Sequence, residues 1–555
     1  MRRNQTSTAA TSGRNQSTLL QRLSPSFSHF TRDESGALIV FGLIMFVMMV
    51  IIGGIAVDIM RFETVRTKLQ SVSDRSALAA ASLTQPLNPT DVVNDYFAKE
   101  NLTSYLKGVT VVNSINSRSV TTDVAAEVPS FFMQMIGVDS LTAPADSSAQ
   151  QKVSDVEISL VLDVSGSMNS NSRLVNLRVA AKAFVDTVLA GDTNNKISIS
   201  IVPFNGQVNM GATLAARYSL STQHNLHTCI DFATADYSAT GISPTTAQTR
   251  SDIIDPWDSG WQKPKPNGVS DQNYCTTDAR TIVRPFLRDI PTLKAAIDGL
   301  VAEGNTSIDI GMKWGLAMLD PGTQPVVSSM IGSTVVPAYF SGRPYSYTRP
   351  DSAKVIVLMS DGENTPEYKI KTAYKSGASP VYRNPADGSL AIFHSTVATA
   401  NKYYVIPKAN FGGDAYNSAL GAWQASAPAG YVNLSYPELF NYHPLWWVSL
   451  YLYGNALGTD SNTRNNWANT WWNNFFTSIG SATKDSQTTS ICALAKNSAQ
   501  AVRVFTIAFE APAPGQAALH ACASSDGDYF NVTGLNITTA FQAIAHQVTA
   551  LRLTQ

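Results

Sequence analysis

Charge is scarce in this chain. Asp, Glu, Lys and Arg make up only 15% of its 555 residues, and 40 basic groups nearly cancel 41 acidic ones, leaving a formal charge of −1. With a sequence pI near 6.7 there is no electrostatic reason to expect a nucleic acid as partner. Cysteine is limited to four and histidine to seven. No CxxC spacing supports a zinc ribbon, and no HExxH pair supports a zincin. The GxSxG elbow, the P-loop and the dinucleotide glycine fingerprint are also missing, so the chain reads as non-enzymatic, with no general base to name. His224 and His227 stand three apart near Cys229, but the Asn and Thr around them point to a surface turn.

Long apolar runs are rare too, and one stands out. Ala37 to Val57 carries no charged residue. At 1.5 Å per residue, about 21 positions cross a hydrocarbon core of roughly 30 Å. A cleaved signal peptide fits less well, because the polar leader is long and no small-residue cleavage site follows. Residues 1–36 are expected as a cytoplasmic leader, since Arg2, Arg3, Arg14, Arg22 and Arg32 outnumber Asp33 and Glu34. Arg61, Arg66, Lys68 and Arg75 beyond the span weaken that lean. Cys229 and Cys275 fall within one expected insertion, and Cys492 and Cys522 flank one expected strand. Of three connectivities, only this pairing keeps both loops local; four separate buried thiols are the alternative. Each bridge would contribute roughly 3–4 kcal/mol and place the large carboxyl-terminal part in an oxidising space.

Chemistry concentrates in three loops. Asp163-Val164-Ser165-Gly166-Ser167 follows the apolar run Ile158–Leu162 and sets one carboxylate and two hydroxyls around a point, a set suited to a hard cation. An ordinary capped strand-to-helix turn would look the same. Glu303-Gly304-Asn305-Thr306-Ser307 and, after the strand Lys354–Ser360, Asp361-Gly362 come next. An open α/β sheet gathers such loops at the carboxyl ends of its strands. In this order the three segments resemble the von Willebrand factor A domain and its metal-ion-dependent adhesion site. The resemblance implies a Rossmann-like doubly wound sheet and a metal site at Asp163, Ser165, Ser167, Thr306 and Asp361. The implied ion is Mg²⁺, with Mn²⁺ or Ca²⁺ as substitutes, and the implied partner is a protein offering a Glu or Asp carboxylate.

A second resemblance lies at the anchor. Asp33-Glu34-Ser35-Gly36, Ala56-Val57-Asp58, Phe62, Arg66, Leu69-Gln70, Asp74 and the Ala-rich Ala77–Ala81 are similar to the amino-terminal module of TadG-like tight-adherence (Flp pilus) assembly proteins. That similarity implies a protein of the bacterial inner membrane with its carboxyl-terminal domain in the periplasm, working with pilus-assembly or secretion components. A surface adhesin is the alternative. The Ala-rich stripe would let a neighbouring helix approach closely.

The expected organisation is a transmembrane helix with its helical extension over 37–85, a small α+β unit over 86–150, and the von Willebrand A domain over 151–555. Strands are expected near Val109–Ile115 and Val120–Val128, with a polar connector over Ala143–Ala149. Within the large domain, helices are expected at Arg173–Leu189, Thr292–Val301, Ile491–Ala499 and Thr539–Leu551. Strands are expected at Ile197–Val202 and Val502–Phe509, with a hairpin turn at Phe204-Asn205-Gly206. Insertions at about 212–288 and 364–486 interrupt the pattern. The second holds six of the nine Trp, at 423, 446, 447, 467, 471 and 472, which would form either a ligand surface or the core of a small lobe.

Overall fold

In the computed structural model the uncharged run is the first half of one continuous helix, Ala37–Ala81. The structure describes residues 36–549 apart from 83–84, 114–116, 153–154, 191, 193–194, 253, 255–274, 350–351, 409–410 and 412–420. The charged leader residues thus lie outside the described residues. From Leu38 to Val50 the large apolar side chains of the helix stand exposed, which suits hydrocarbon as their solvent. Among the described residues this is the one helix long and apolar enough to cross a membrane.

The second half of the helix behaves differently. Leu69, Val72, Ala77, Ala80 and Ala81 are buried, in one core with Val92, Val93 and Phe97 of the helix Pro89–Lys99. Strands β1 (Leu106–Asn113), β2 (Ser117–Pro129), β3 (Ser140–Pro144) and β4 (Ser147–Lys152) complete this unit. β2 pairs with both β3 and β4, so the stretch Ala143–Ala149 is largely strand rather than the expected connector. Inside, Ser73 and Thr122 share a hydrogen bond of 2.6 Å between their hydroxyls. The helical extension and the small α+β unit, expected as consecutive parts meeting at 85/86, therefore form a single compact unit. Its alanine stripe serves the same chain, because the helix it admits is Pro89–Lys99.

A second unit contains nearly everything from residue 150 onward. At its centre β5 (Asp155–Asp163) is buried along its whole length. Its side chains alternate: Ile158, Leu160 and Leu162 face one core, and Val161 faces the other. A strand covered on both faces reads as a continuous apolar run, which is why the sequence shows one. β6 (Ile197–Phe204) and β8 (Ser352–Ser360) flank it in parallel. β7 (Arg284–Leu287), β16 (Arg503–Phe509) and β17 (Tyr529–Val532) give the order β17-β16-β8-β5-β6-β7. β7 alone is antiparallel, and it lies inside the first expected insertion, which therefore ends earlier than 288.

Helices Arg173–Leu189, Ile290–Asp298 and Asn536–Thr549 cover one face, with Phe184 edge-on to Phe541 at 5.9 Å. Helices Ile308–Ala317, Ser481–Lys496 and Ala513–Cys522 cover the other. The first of these sits very close to the sheet: side chains on Gly311 and Gly315 would collide with Phe204 and Val161. Both disulfides, Cys229–Cys275 and Cys492–Cys522, are formed. Beside the first, His227 is buried rather than in the expected surface turn, and burial pushes its pKa down to about 3. Its cysteine neighbours are bonded to each other, so they offer no thiolate to a metal.

The segment Phe204-Asn205-Gly206 does not make a hairpin. The chain moves on into the irregular disulfide-bonded lobe, and Asn205 turns inward to bind the carbonyl of Glu303. The second insertion leaves through a two-stranded ribbon of β9 (Glu367–Ile370) and β15 (Phe476–Ile479). Beyond it β10 (Ala378–Arg383), β11 (Leu390–Phe393), β12 (Tyr403–Ile406), β13 (Ala422–Gln424) and β14 (Val432–Ser435) form an antiparallel sheet, with the helix Ser461–Phe475 nearby. The helix expected at Ile491–Ala499 begins ten residues earlier, at Ser481, and ends at Lys496.

Candidate metal and docking site

Asp163 is the last residue of β5, and its side chain is buried where the strand stops. One oxygen accepts the Ser165 N–H at 2.7 Å; the other accepts the hydroxyl of Ser360, the last residue of β8. The chain then turns: the Ser165 and Ser167 hydroxyls lie 3.0 Å apart, and Ser167 donates to Asp361 at 2.8 Å. The Gly166 N–H donates to the Gly304 carbonyl at 2.9 Å and draws the Glu303–Ser307 loop in. Thr306 closes the ring, its hydroxyl oxygen 3.1 Å from where a Cβ on Gly362 would stand. Asp163, Ser165, Ser167, Thr306 and Asp361 thus come together at the carboxyl ends of β5 and β8.

Two carboxylates held so close repel. Burial, and then the charge of Asp361, push the Asp163 pKa up to about 7, and burial raises Asp361 as well. Arg173, the first residue of its helix, partly offsets this. Its guanidinium donates to Asp361 at 2.7 Å and to Glu510 at 2.9 Å. Sequence reasoning passed over Arg173, Glu510 and Ser360. Asn171 and Ser172 before the helix, and Glu510 after β16, all adopt left-handed backbone, strain that marks the rim of the site.

A buried lysine holds the Thr306 loop from behind. Lys484 donates to the carbonyls of Thr306 and Thr365 and to the Ser307 hydroxyl, and it pairs with Asp309 at 3.6 Å. Asn364 caps the helix that follows, accepting the Ile308 N–H at 2.8 Å. The five residues offer oxygen only, from two carboxylates and three hydroxyls, with no imidazole or thiol. That donor set fits a small hard divalent cation, which would also relieve the repulsion between the carboxylates.

Residues 36–83 match a family described as "Putative Flp pilus-assembly TadE/G-like". Among solved structures, the von Willebrand domain of the type V pili tip protein Mfa5 from Porphyromonas gingivalis is 13% identical, with a TM-score of 0.28, and the match covers 72% of this chain and 96% of that one. The PilB minor pilin from Streptococcus sanguinis is 12% identical at a TM-score of 0.30, covering 81% of this chain and 80% of that one. The pilus adhesin SpaC from Lactobacillus rhamnosus GG is 10% identical at 0.29, covering 79% and 33%. At such scores the superpositions are too loose to bear on topology or function. No curated protein matches the chain.

Proposed function

We propose that this chain is a membrane-anchored component of a Tad/Flp-type pilus or a related secretion machine, and that it docks a protein partner through Mg²⁺ at Asp163, Ser165, Ser167, Thr306 and Asp361. The family match at residues 36–83 supports the pilus-related role, and the apolar helix supports anchoring. The observation that carries the docking reading is the convergence of five oxygen-bearing side chains from three separated loops at one sheet edge. When bound, the ion would supply an electron-poor centre that accepts one more anionic oxygen, most simply a partner's carboxylate. Asp163 and Asp361 would balance its charge, and the three hydroxyls would orient toward it with little added negative charge. Arg173 would hold Asp361 in place while standing as a competing cation. The site is read as binding rather than catalytic, because both carboxylates are already engaged, Asp163 by the Ser165 N–H and the Ser360 hydroxyl and Asp361 by Ser167 and Arg173.

The periplasm is proposed for the large unit, since both disulfides belong in an oxidising space. The adhesin alternative leaned on the tryptophans as a ligand surface, yet of the six only Trp467 is exposed. The test is calorimetry and thermal shift of the full chain in nanodiscs, with Mg²⁺ or chelator. Binding in the wild type that is lost in Asp163→Ala supports docking; no binding in the wild type sinks it. Protease added to intact cells separates the locations, because an inner-membrane factor resists cleavage and an adhesin is shaved.

A further inference from the structure

The loop Phe131–Gly137 is tied to one turn of the long helix by unusually many bonds. The carboxylate of Asp58 is 2% exposed and accepts the N–H groups of Phe131 at 3.0 Å, Phe132 at 2.7 Å and Met133 at 2.9 Å. Phe132 packs against Gly54, where any Cβ would collide with it. The Arg61 guanidinium sits 4.0 Å over the Phe131 ring and reaches the Pro129 carbonyl at 3.4 Å. Gly137, with φ of 89°, closes the turn.

The level of this attachment matters. Counted from Ala37 at 1.5 Å per residue, Gly54 lies about 26 Å along the helix and Asp58 about 32 Å. A hydrocarbon core is roughly 30 Å thick, so the loop is held where the core meets the headgroups. There it exposes large apolar side chains: Phe131 is 65% exposed, Met135 67% and Ile136 54%. At the same level the helix also exposes Ile52 at 66% and Met60 at 72%.

We infer that the loop Phe131–Ile136 inserts into the acyl–headgroup boundary of the bilayer that the helix crosses, giving the folded unit a second membrane contact. The inference rests on the reading of Ala37–Val57 as a span. Irregular backbone tolerates that depth only when its polar groups are paired internally. The N–H groups of Phe131, Phe132 and Met133 go to Asp58, and those of Met135, Gly137 and Val138 go to carbonyls within the loop. Asp58 is covered by the loop it binds, which accounts for a carboxylate at this depth. Arg61, over the Phe131 ring, also pairs with Asp58 at 3.9 Å and so offsets its charge at this level.

The test places one reporter at a time in the full chain. The native cysteines are paired, so Met135→Cys and Leu43→Cys each give a single site for an environment-sensitive fluorophore. The labelled proteins are reconstituted in nanodiscs whose lipids carry a spin-label quencher, either shallow or deep in the acyl chain. Quenching of about two-fold or more at residue 135 by the shallow lipid, and at residue 43 by the deep one, is expected. Quenching at 43 with none at 135 overturns the inserted loop and leaves the anchor. A blue-shifted but unquenched reporter at 135 also overturns it, in favour of a protein covering the loop. Loss of quenching at both positions overturns the span and the inference together.

Discussion

The central sheet and the aromatic lobe rooted beside Asp361 solve the same packing problem with different residues. The sheet is mainly parallel, is sandwiched between helices, and fills both cores mainly with Val, Ile, Leu, Met and Ala, its aromatic rings meeting edge to face. The lobe is antiparallel and adds stacked rings to its Leu, Ile and Val: Trp447 stacks on Tyr451 at 4.7 Å and on His443 at 4.2 Å, and Tyr453 stacks on Trp471 at 3.9 Å. Aliphatic burial on two faces makes a rigid frame that holds five site residues in place. Ring stacking supplements the aliphatic core of this lobe, and it takes the imidazoles of His394 and His443 inside with it. The chemistry belongs to the frame, and the lobe's tryptophans are mostly structural.

Core truncation is the hardest test of that division. Phe184→Ala in the sheet and Trp447→Ala in the lobe should each cost about 3–5 kcal/mol. Only the first should also abolish Mg²⁺ binding, as denaturant melts and calorimetry would show; loss of binding in both would join the two regions into one functional body. Next in size is the ion itself. At one hundred times its dissociation constant, Mg²⁺ should stabilise the wild type by about 2.7 kcal/mol. Asp163→Ala should lose that gain while keeping the far-ultraviolet circular dichroism of the folded chain.

Acid should act on the aromatic lobe, as it should on the disulfide-bonded lobe that buries His227. Burial, then the charge of Arg383, pushes His443 down to about 3, and burial pushes His394 down to about 4. Below the unfolded value near 6.5 the unfolded chain takes up protons that the folded lobe refuses. Stability from these groups is therefore whole above pH 6.5 and falls as pH drops toward 4. At pH 5 the loss is about 2 kcal/mol for each histidine, read from tryptophan fluorescence, and His443→Gln should remove its share. The smallest effect belongs to Arg173→Met. Removing a cation bonded to Asp361 should tighten Mg²⁺ binding by about ten-fold, or about 1.4 kcal/mol, by calorimetry. Unchanged affinity would mean that the guanidinium is no competitor.

The strands at Ile158–Leu162 and Val355–Met359 were legible because burial on both faces removes polar interruption. The helix Arg173–Leu189 was legible for the opposite reason, since one face stays wet. Between them lies the helix Ile308–Ala317, which the sequence hid: every residue in it is buried, Asp309 and Lys313 included, so no amphipathic period exists. Lys313 donates to the carbonyls of Asp236, Ala239 and Gly241, contacts no local pattern announces. Strand β4 was missed because Ser147–Lys152 is polar and small. The five site positions were readable as residue types in order, whereas Arg173, Glu510 and Ser360 join them through contacts 188, 337 and 197 residues apart.

The unbroken helix Ala37–Ala81 has a mechanical consequence. Its last 24 residues past Val57 extend about 36 Å and pass into a folded core without a linker. Leaning the rod by about 20°, an ordinary tilt for a membrane helix, would swing its far end about 12 Å sideways. A pull or twist felt within the bilayer would reach that folded unit undiminished, as through the shaft of a lever.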